Sequence, residues 1–407
     1  MLDFSLVIFV FIVCVNRYVF GLFLKKAKGS AFDQTRRDFL PSVSVIVPMY
    51  NEGESIYEGV LSLLGQDYPA GKLNVIVVDD CSRDESVVWA ERAARTAPAR
   101  VCVIRNSYNM GKRLGILHAV RNTKAEIIVS VDSDVVLHRQ AVRQLVARFN
   151  DPEIAAVGGR VNVRNANESW ISRMQVIKYY FAYEFFKNLE CYFRSVLCLS
   201  GCLTAYRRSV LVELEPVLIN RNVLGVPIKY GEDRFLTRQI LKAGYKTFLT
   251  QDAICWTNVP TTLSGYWSQQ LRWRRSNIID FLCGVSHCWK MQPLVGLQYA
   301  SLFAMLFSYP LLVVQRVLAQ EFFELALFHV SILALCAVFY AVDTRKQPAS
   351  YRVHPIWFLP MVVVMPVTYL LMTPLALFTL DSSSWETRGH APTLPLPDTL
   401  PSKRRAG

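Results

Sequence analysis

What the 407-residue chain lacks narrows its chemistry first. Its ten cysteines contain no C-x-x-C pair and no regular spacing, which argues against a zinc centre or a disulfide framework. No G-x-x-x-x-G-K-[ST] stretch occurs, so a P-loop nucleotidase is excluded. No G-x-G-x-x-G occurs either, which leaves a dinucleotide site without support. No nucleic-acid motif accompanies the net charge of +13. Basic residues instead flank apolar runs, where they suit anionic lipid headgroups. The first apolar run has no basic stretch ahead of it, as a secretory signal would need.

What is present is apolar and unevenly spread. Hydrophobic residues make up 52 % of the chain, and they concentrate at its two ends around a more polar block. Phe4–Leu24 is long enough to cross a bilayer as one helix, which needs ~20 residues. Arg17 lies toward one end of it and can snorkel, and Lys25, Lys26 and Lys28 behind it point to a cytoplasmic flank. Three more apolar stretches, Leu294–Val317, Phe322–Val342 and Ile356–Leu380, follow Pro293. The last holds Pro360, Pro366 and Pro374 and is expected to be kinked or broken. Asp343–His354 is basic and short, which suits the cytoplasmic side. The Pro-rich tail from His390 reads as disordered. The expected organisation is a membrane helix in 1–28, a cytoplasmic catalytic domain in 42–285, a membrane region in 290–385 and a disordered tail in 390–407. That describes a multi-pass protein of the plasma (inner) membrane.

From Ser42 the pattern alternates. Val43–Pro48 is a β-branched run, "ESIYEGVLSLL" is helical, and Leu73–Asp80 is a second strand. "SRDE" at Ser82–Glu85 reads as a capping box opening the helix "SVVWAERAAR". Arg100–Asn106, a helix from near Gly111 and a strand ending at Asp132 follow. The alternation predicts an α/β, Rossmann-like, mostly parallel sheet, with ligands at the C-terminal strand ends.

Four strand ends then bring polar residues to one rim: Tyr50 and Glu52, Asp79 and Asp80, Asn106–Arg113 with Lys112, and Asp132 with Asp134. Each alone has an ordinary reading. D-x-D occurs at turns and solvated strand ends, Asp80 with Ser82 could cap a helix, and Lys112 could be a surface lysine. Together they suit a nucleotide diphosphate. Asp132 and Asp134 are hard oxygen donors of the kind that hold Mg²⁺ or Mn²⁺, and the cation offsets the cost of burying two carboxylates.

Four later segments stand out. "SGCLTAYRRS" puts Ser200, Gly201 and Cys202 ahead of a basic pair. "YGEDRFLTRQILKAGY" sets Glu232 and Asp233 before an amphipathic helix, where helix-dipole charge is the plain alternative. "WSQQLRWRRSNIIDF" combines Gln269, Arg272 and Trp273 with further arginines and also reads as an interfacial helix. Ser169–Phe186, "SWISRMQVIKYYFAYEFF", is aromatic and amphipathic, and reads either as a channel entrance or as core.

The ordered set VDD, GKR, D-S-D, G-E-D and Q-x-x-R-W resembles the processive family 2 glycosyltransferases of GT-A fold, which include cellulose, chitin and hyaluronan synthases. The resemblance runs from about Val43 to Arg388. "SGCLTAYRRS", "GEDRFLT" and "SSWETRG" (Ser383–Gly389) are most similar to hyaluronan synthases and to nodulation-type chitooligosaccharide synthases. Trp385-Glu386-Thr387-Arg388 departs from the hyaluronan pattern W-G-T-R at one position. Gly231-Glu232-Asp233 is closer to the chitooligosaccharide type than to G-D-D, and Cys202 stands where both groups carry Pro.

The resemblance implies a GT-A domain with transmembrane and interfacial helices, and the following roles. Tyr50, Glu52, Asp79 and Asp80 hold the uridine, Lys112 meets the diphosphate, Asp132 touches the nucleotide and Asp134 binds the metal. Asp233 is the general base. Gln269, Arg272 and Trp273 bind the acceptor end and the leaving diphosphate, with Ser200, Gly201 and Cys202 on the acceptor side. Trp385 and Arg388 close over the nucleotide. The implied activity is inverting polymerisation of UDP-sugars into a β-linked polysaccharide, exported through the membrane helices. Hyaluronan synthesis from UDP-GlcNAc and UDP-GlcA is the first reading; chitin-type synthesis from UDP-GlcNAc alone is the alternative. A transferase acting on a lipid carrier shares D-x-D, but Q-x-x-R-W opposes it. An inactive scaffold is opposed by the presence of Asp134, Asp233 and Arg272. Three full crossings after Pro293 would leave Trp385 on the face away from the catalytic domain. Either Ile356–Leu380 turns back, another segment does not cross, or the resemblance misleads at Trp385.

Overall fold

Val43–Met49 forms β1, apolar on both faces and buried along nearly its whole length, as a central parallel strand requires. In the computed structural model, residues 38–381 other than Leu224 and Lys229 are described. The expected N-terminal membrane helix, Trp385, Arg388 and the tail from His390 lie outside them.

The strands are β1, β2 (Leu73–Asp79), β3 (Val101–Arg105), β4 (Ile127–Val131), β5 (Val136–Leu137), β6 (Ile154–Val163), β7 (Leu203–Arg207), β8 (Asn222–Val223), β9 (Val226–Pro227) and β10 (Lys246–Thr257). An eight-stranded sheet has the order β3-β2-β1-β4-β7-β6-β10-β5, and β8 and β9 form a separate ribbon. β1, β2, β3, β4, β6 and β10 share one direction, and β7 and β5 oppose it. The sheet is mostly parallel, as expected. The insertion of antiparallel β7 between β4 and β6 is not visible in the apolar pattern.

The helices are α1 (Ser55–Leu64), α2 (Ser86–Thr96), α3 (Lys112–Arg121), α4 (Ala141–Val146), α5 (Trp170–Tyr180), α6 (Lys187–Tyr192), α7 (Arg208–Glu213), α8 (Glu215–Ile219), α9 (Glu232–Lys242), α10 (Leu263–Gly284), α11 (Pro293–Leu318), α12 (Phe322–Thr344) and α13 (Leu359–Leu377). α1 packs on α2, α3 on β1 and β2, and α4 on β10, β6 and β7. The core under them is aliphatic, with Val45, Ile46, Val75, Val77, Ile128 and Val129 fully buried. Each such side chain contributes roughly 1.5–3 kcal/mol of transfer free energy.

The expected capping box does not form, although the helix it was to open does. α2 starts behind Glu85, which makes no side-chain cap. The residues of the box hold the turn after β1 instead. Asn51 and Gly53 have positive φ (52° and 57°), so their N–H groups leave the ladder and need other acceptors. Ser82 Oγ accepts from Asn51 N at 3.0 Å, and Asp84 Oδ2 from Gly53 N at 3.1 Å. Ser86 Oγ accepts from Glu52 N at 2.7 Å.

Ser169–Phe186 takes the core reading on one face. Ile171, Met174, Ile177, Tyr180, Phe181 and Phe185 are buried with Tyr340, Phe358 and Met361. Its other face lines the main cavity through Lys178, Tyr179 and Tyr183. A π-helical turn at Phe181–Phe185 joins α5 to α6 and rotates the two faces apart.

Among the described residues, three helical segments are long and apolar enough to cross a membrane: Pro293–Leu318, Phe322–Thr344 and Ala349–Leu377. They match the three apolar stretches. The last opens with two 3-10 turns, Ala349–Tyr351 and Pro355–Phe358, separated by the non-helical Arg352–His354. α13 runs continuously through Pro366 and Pro374, and Pro360 sits in its first turn, where no helical bond is lost. Both ends of α13 return to the polar domain. Phe358, just before it, packs edge-on against Phe181 with ring centroids 6.1 Å apart. Past its other end, Arg275 Nε donates to Thr379 Oγ1 at 2.9 Å and the Tyr230 hydroxyl donates to Leu380 O at 2.7 Å.

Candidate active site

The parallel strands end on one edge of the sheet, and antiparallel β7 begins there. Ser200–Cys202 therefore reach the same rim as Tyr50, Asp80 and Asp132. The rim opens into a cavity of about 1270 Å³. Tyr50, Asp80, Lys112, Asp132, Asp134, Ser200, Gly201, Cys202, Asp233, Gln269, Arg272 and Trp273 all line it. Asp79 and Glu52 are not among the lining residues; they support the turns behind the rim. Asp79 Oδ1 accepts from Ser82 N at 3.1 Å, and Glu52 Oε1 accepts from Ser133 Oγ at 2.6 Å.

Asp80 shapes the loop ahead of α3. Its Oδ1 accepts from Asn106 Nδ2 and Met110 N, each at 2.9 Å, and its Oδ2 from Gly111 N at 2.8 Å. Burial raises its carboxyl above the usual range, and these three bonds oppose the rise. Gly111, at φ 82°, then turns the chain so that α3 opens with Lys112 facing the cavity.

Lys112 joins three segments. Its Nζ lies 2.5 Å from Asp132 Oδ1 and 3.0 Å from Glu232 Oε1. Burial works against its charge, but the two carboxylates prevail and hold the ammonium well above its ordinary range. Gly201 makes room for this contact. A Cβ there would stand 2.5 Å from Lys112 Nζ and 3.7 Å from both Asp132 Oδ2 and Glu232 Oε1.

The two acids of the G-E-D stretch separate electrostatically. Burial alone would raise Glu232, but the Lys112 charge beside it holds it down at about 2. Asp233 moves the other way: burial first, then the charge of Glu232, raise its carboxyl. Its Oδ1 accepts from Arg234 N at 2.8 Å. Both sit in the first turn of α9, behind Gly231 at φ 65°. A Cβ on Gly231 would come within 2.0 Å of Ser276 Oγ, so this glycine lets α9 dock against α10.

Asp134 is the group most in need of a cation. Burial and then the Asp132 charge push its carboxyl up to about 6, and the Thr257 hydroxyl, 3.2 Å away, offsets this only in part. Among the described residues no further His, Cys, Asp or Glu completes a three-ligand cluster with it. Two carboxylates, with the remaining ligands from phosphate and water, is the usual Mg²⁺ arrangement. The residues present fit such an ion at Asp132 and Asp134.

The side of the cavity formed by α5 and α10 is aromatic. Trp273 packs against Tyr179 with centroids 6.4 Å apart, and Gln269 is buried beside Gln270, which donates to its Oε1 at 3.3 Å. Burial holds the Tyr183 hydroxyl well above its usual range, and it hydrogen-bonds Ser200. The Cys202 thiol is pushed well up by burial and then by Asp132, which keeps it protonated. Tyr183, Lys178 and the Lys112–Glu232 pair escaped the sequence reading. The aromatic run "YYFAY" was the signal for the first two; nothing local announces the third.

Comparison with known proteins agrees with this picture. The model of the family described as "Glycosyltransferase like family 2" matches residues 41–276. An N-acetylglucosaminyltransferase of Rhizobium meliloti (strain 1021) is 32% identical over 361 residues, spanning 88% of this chain and 84% of that protein. An N-acetylglucosaminyltransferase of Bradyrhizobium diazoefficiens is 32% identical over 383 residues, spanning 92% of this chain and 77% of that protein. Among solved structures, the mannosyltransferase PcManGT of Pyrobaculum calidifontis, in complex with GDP-Man and Mn2+, superposes with a TM-score of 0.59 at 20% identity, covering 92% of this chain and 96% of that one.

Proposed function

This chain belongs to the family 2 glycosyltransferases, with a GT-A-type sheet and apolar helices able to span a membrane, and from that premise we propose that it transfers N-acetylglucosamine from UDP-GlcNAc to a growing GlcNAc chain. The product is a β-linked, chitin-type oligomer. The observation that carries this reading is the pair of carboxylates on α9, one held ionised by Lys112 and the other raised by burial and by the charge of its neighbour.

Asp233 takes the proton from the acceptor hydroxyl. The hydroxyl oxygen bonds to C1 of the sugar as the bond from C1 to the diphosphate oxygen breaks, which turns an α-linked donor into a β-linked product. A positioned base contributes roughly 10²–10⁴-fold. Lys112 and Arg272 face the leaving diphosphate, and charge building there draws Lys112 from Asp132 and Glu232. Asp132 and Asp134 would hold a Mg²⁺ or Mn²⁺ ion, which when bound neutralises phosphate charge. Asp80 holds the loop that presents Lys112. Tyr50, with Asp79 and Glu52 behind it, forms the uridine end. Trp273, Gln269 and the Ser200–Cys202 turn receive the acceptor. Trp385 and Arg388 are assigned to closure over the nucleotide. The catalytic part is assigned to 42–285 on the cytoplasmic face, and the membrane part to 1–28 and 290–385, which carries the product outward.

Hyaluronan synthesis was the first expectation, resting on Trp385–Arg388. The named relatives favour the single-sugar alternative, and so does Glu232 in place of Asp. The deciding experiment supplies UDP-GlcNAc and UDP-GlcA singly and together to the purified protein with Mn²⁺. Product from UDP-GlcNAc alone, degraded by chitinase, is expected. Product that requires both donors and yields to hyaluronidase would restore the hyaluronan reading.

A further inference from the structure

Between α6 and β7, residues 196–200 are in neither helix nor sheet, so their backbone N–H groups need acceptors from elsewhere. This segment runs directly into the Ser200–Cys202 turn. Two buried side chains pin it. Leu197 N donates to Glu190 Oε2 at 2.9 Å, and Leu199 N donates to Thr237 Oγ1 at 3.1 Å. Thr237 Oγ1 in turn donates to Asp233 O at 2.7 Å, so the second pin sits on the first turn of α9. Glu190 is 4 % exposed and Thr237 is fully buried.

Glu190 has a further tie. Its Oε1 accepts from Gln298 Nε2 at 2.8 Å. Gln298 lies on α11, one of the helices apolar enough to cross a membrane, and is itself 2 % exposed. Burying a carboxamide in such a helix is costly unless it is bonded, and Glu190 supplies the bond. Next to it the Tyr299 hydroxyl donates to Asp280 O at 2.7 Å, which holds the same turn of α11 against α10. Lys187 Nζ, 3.0 Å from Glu190 Oε2, offsets the buried charge. A carboxylate kept only to steady α6 would need the Lys187 pair alone. This one joins α11, the segment that carries the acceptor turn and, through Leu199 and Thr237, the helix that carries Asp233.

We propose that Glu190 is a positioning residue for sugar transfer. It fixes residues 196–200 between α11 and α9, and so sets where the Ser200–Cys202 turn stands against Asp233. The proposal rests on the proposed roles of that turn and of Asp233, and not on which UDP-sugar is the donor. A loosened turn leaves the donor bound and lets water take the acceptor's place. The water oxygen then bonds to C1 as the bond from C1 to the diphosphate oxygen breaks, its proton passes to Asp233, and free sugar leaves with UDP. The signature is a changed partition between transfer and hydrolysis, not a uniform loss.

The test gives the full chain, purified in a non-ionic maltoside, Mn²⁺, chitobiose and UDP-GlcNAc labelled in the sugar, or whichever UDP-sugar the wild type turns over. Free sugar, oligomer and UDP are measured together. In Glu190→Leu, oligomer should fall roughly 10- to 100-fold and the ratio of free sugar to oligomer should rise ~10-fold or more, as for a misplaced acceptor. UDP affinity should hold within about twofold, which shows that the fold is intact. Glu190→Gln should stay near wild type, because its carbonyl accepts from Leu197 N and its amide donates to a Gln298 turned end for end. Gln298→Met and Thr237→Val keep the volume and should move the ratio the same way, so the proposal stays testable if Glu190→Leu does not fold. Glu190→Leu with Thr237→Val should cost less than the product of the two, since both free one segment. Asp233→Asn, run alongside, separates the readings. Turnover retained there removes the base assignment, while the ratio still judges Glu190 through the acceptor turn. A wild-type ratio in Glu190→Leu and Gln298→Met would overturn the proposal, as would UDP binding lost in step with oligomer.

Discussion

The sheet has two halves that hold their rims by different means. On the β3-β2-β1-β4 side the strands are all parallel, and the rim is fixed by short-range hydrogen bonds. Backbone N–H groups of Met110 and Gly111 converge on Asp80, and Ser82, Asp84 and Ser86 hold the turn after β1. On the β7-β6-β10-β5 side the directions are mixed, and the rim is supplied by α5, α9 and α10. Those helices are held by contacts between residues far apart in sequence. Glu232 reaches Lys112, Gly231 fits against Ser276, and Trp273 packs on Tyr179. The parallel rim, to which we assign the nucleotide, is thus held by local hydrogen bonds. The other rim, to which we assign the acceptor, depends on how helices dock, and Lys112 joins the two. Substitutions on the acceptor side should damage turnover most, and those on the nucleotide side should act mainly on local stability.

The largest effect is expected at Asp233. Asp233→Asn removes the base and keeps the shape, so turnover should fall by roughly 10²–10⁴-fold while UDP affinity holds. Parallel loss of UDP binding would erase the division of labour between the two halves. Gly231→Ala comes next. It places a methyl 2.0 Å from Ser276 Oγ at a φ of 65°. A cost of about 2 kcal/mol, or roughly thirtyfold in the active population, follows from strain of this kind. Ser276→Gly in the same chain should restore part of the rate, because it removes one of the two causes. No rescue would mean that the positive φ alone dominates.

A medium effect sharpens the joint itself. Asp233 is raised by burial and by the charge of Glu232, and Lys112 opposes the rise. The rate should fall as pH drops through the raised value, since the base must be ionised to work. Glu232→Gln removes the raising charge, so the acid limb of the pH–rate profile should move to lower pH. Lys112→Met removes an opposing charge, so the limb should move to higher pH, with UDP affinity down roughly 10- to 100-fold for the lost charged contact. Limbs that move together, or not at all, would show that Asp233 does not set the profile.

The same division explains what could be read from residues alone. β1 to β4 are continuous apolar runs and their helices are periodic, so the parallel half, with Tyr50, Asp80, Lys112, Asp132 and Asp134 on its rim, was legible. Strand direction is not written in apolar alternation, so β7 could be seen as small residues before "AYRR" but not placed between β4 and β6. Gly201 was visible as small. Its use, leaving room for Lys112 Nζ, depends on a partner far away in sequence. Glu232 could be read as helix-terminal charge, and that reading is incomplete for the same reason. Hydropathy located α11, α12 and α13 but not the return of both ends of α13 to the polar domain. That return is fixed by Phe358, Thr379 and Leu380, which have no distinctive local pattern.

The smallest effect lies in the legible half, where a local rule misled. "SRDE" has the form of a capping box, and by that rule Glu85→Ala should destabilise α2. In the structure Glu85 makes no side-chain cap, so its loss should cost less than about 0.5 kcal/mol, the range of ordinary surface substitutions. Asp84 does the holding. Its Oδ1 accepts from Ser86 N at 3.0 Å and its Oδ2 from Gly53 N at 3.1 Å. Asp84→Ala frees the Ser86 N–H and the Ser86 hydroxyl, while Gly53 N keeps Ser86 Oγ at 2.9 Å, so about 1 kcal/mol is expected, read as a lower denaturation midpoint. The turn after β1 carries Tyr50, so UDP affinity should soften in Asp84→Ala and stay fixed in Glu85→Ala. If Glu85→Ala proved the costlier of the two, the box would exist in solution, and the turn would owe its shape to the helix rather than to the serines and aspartate around it.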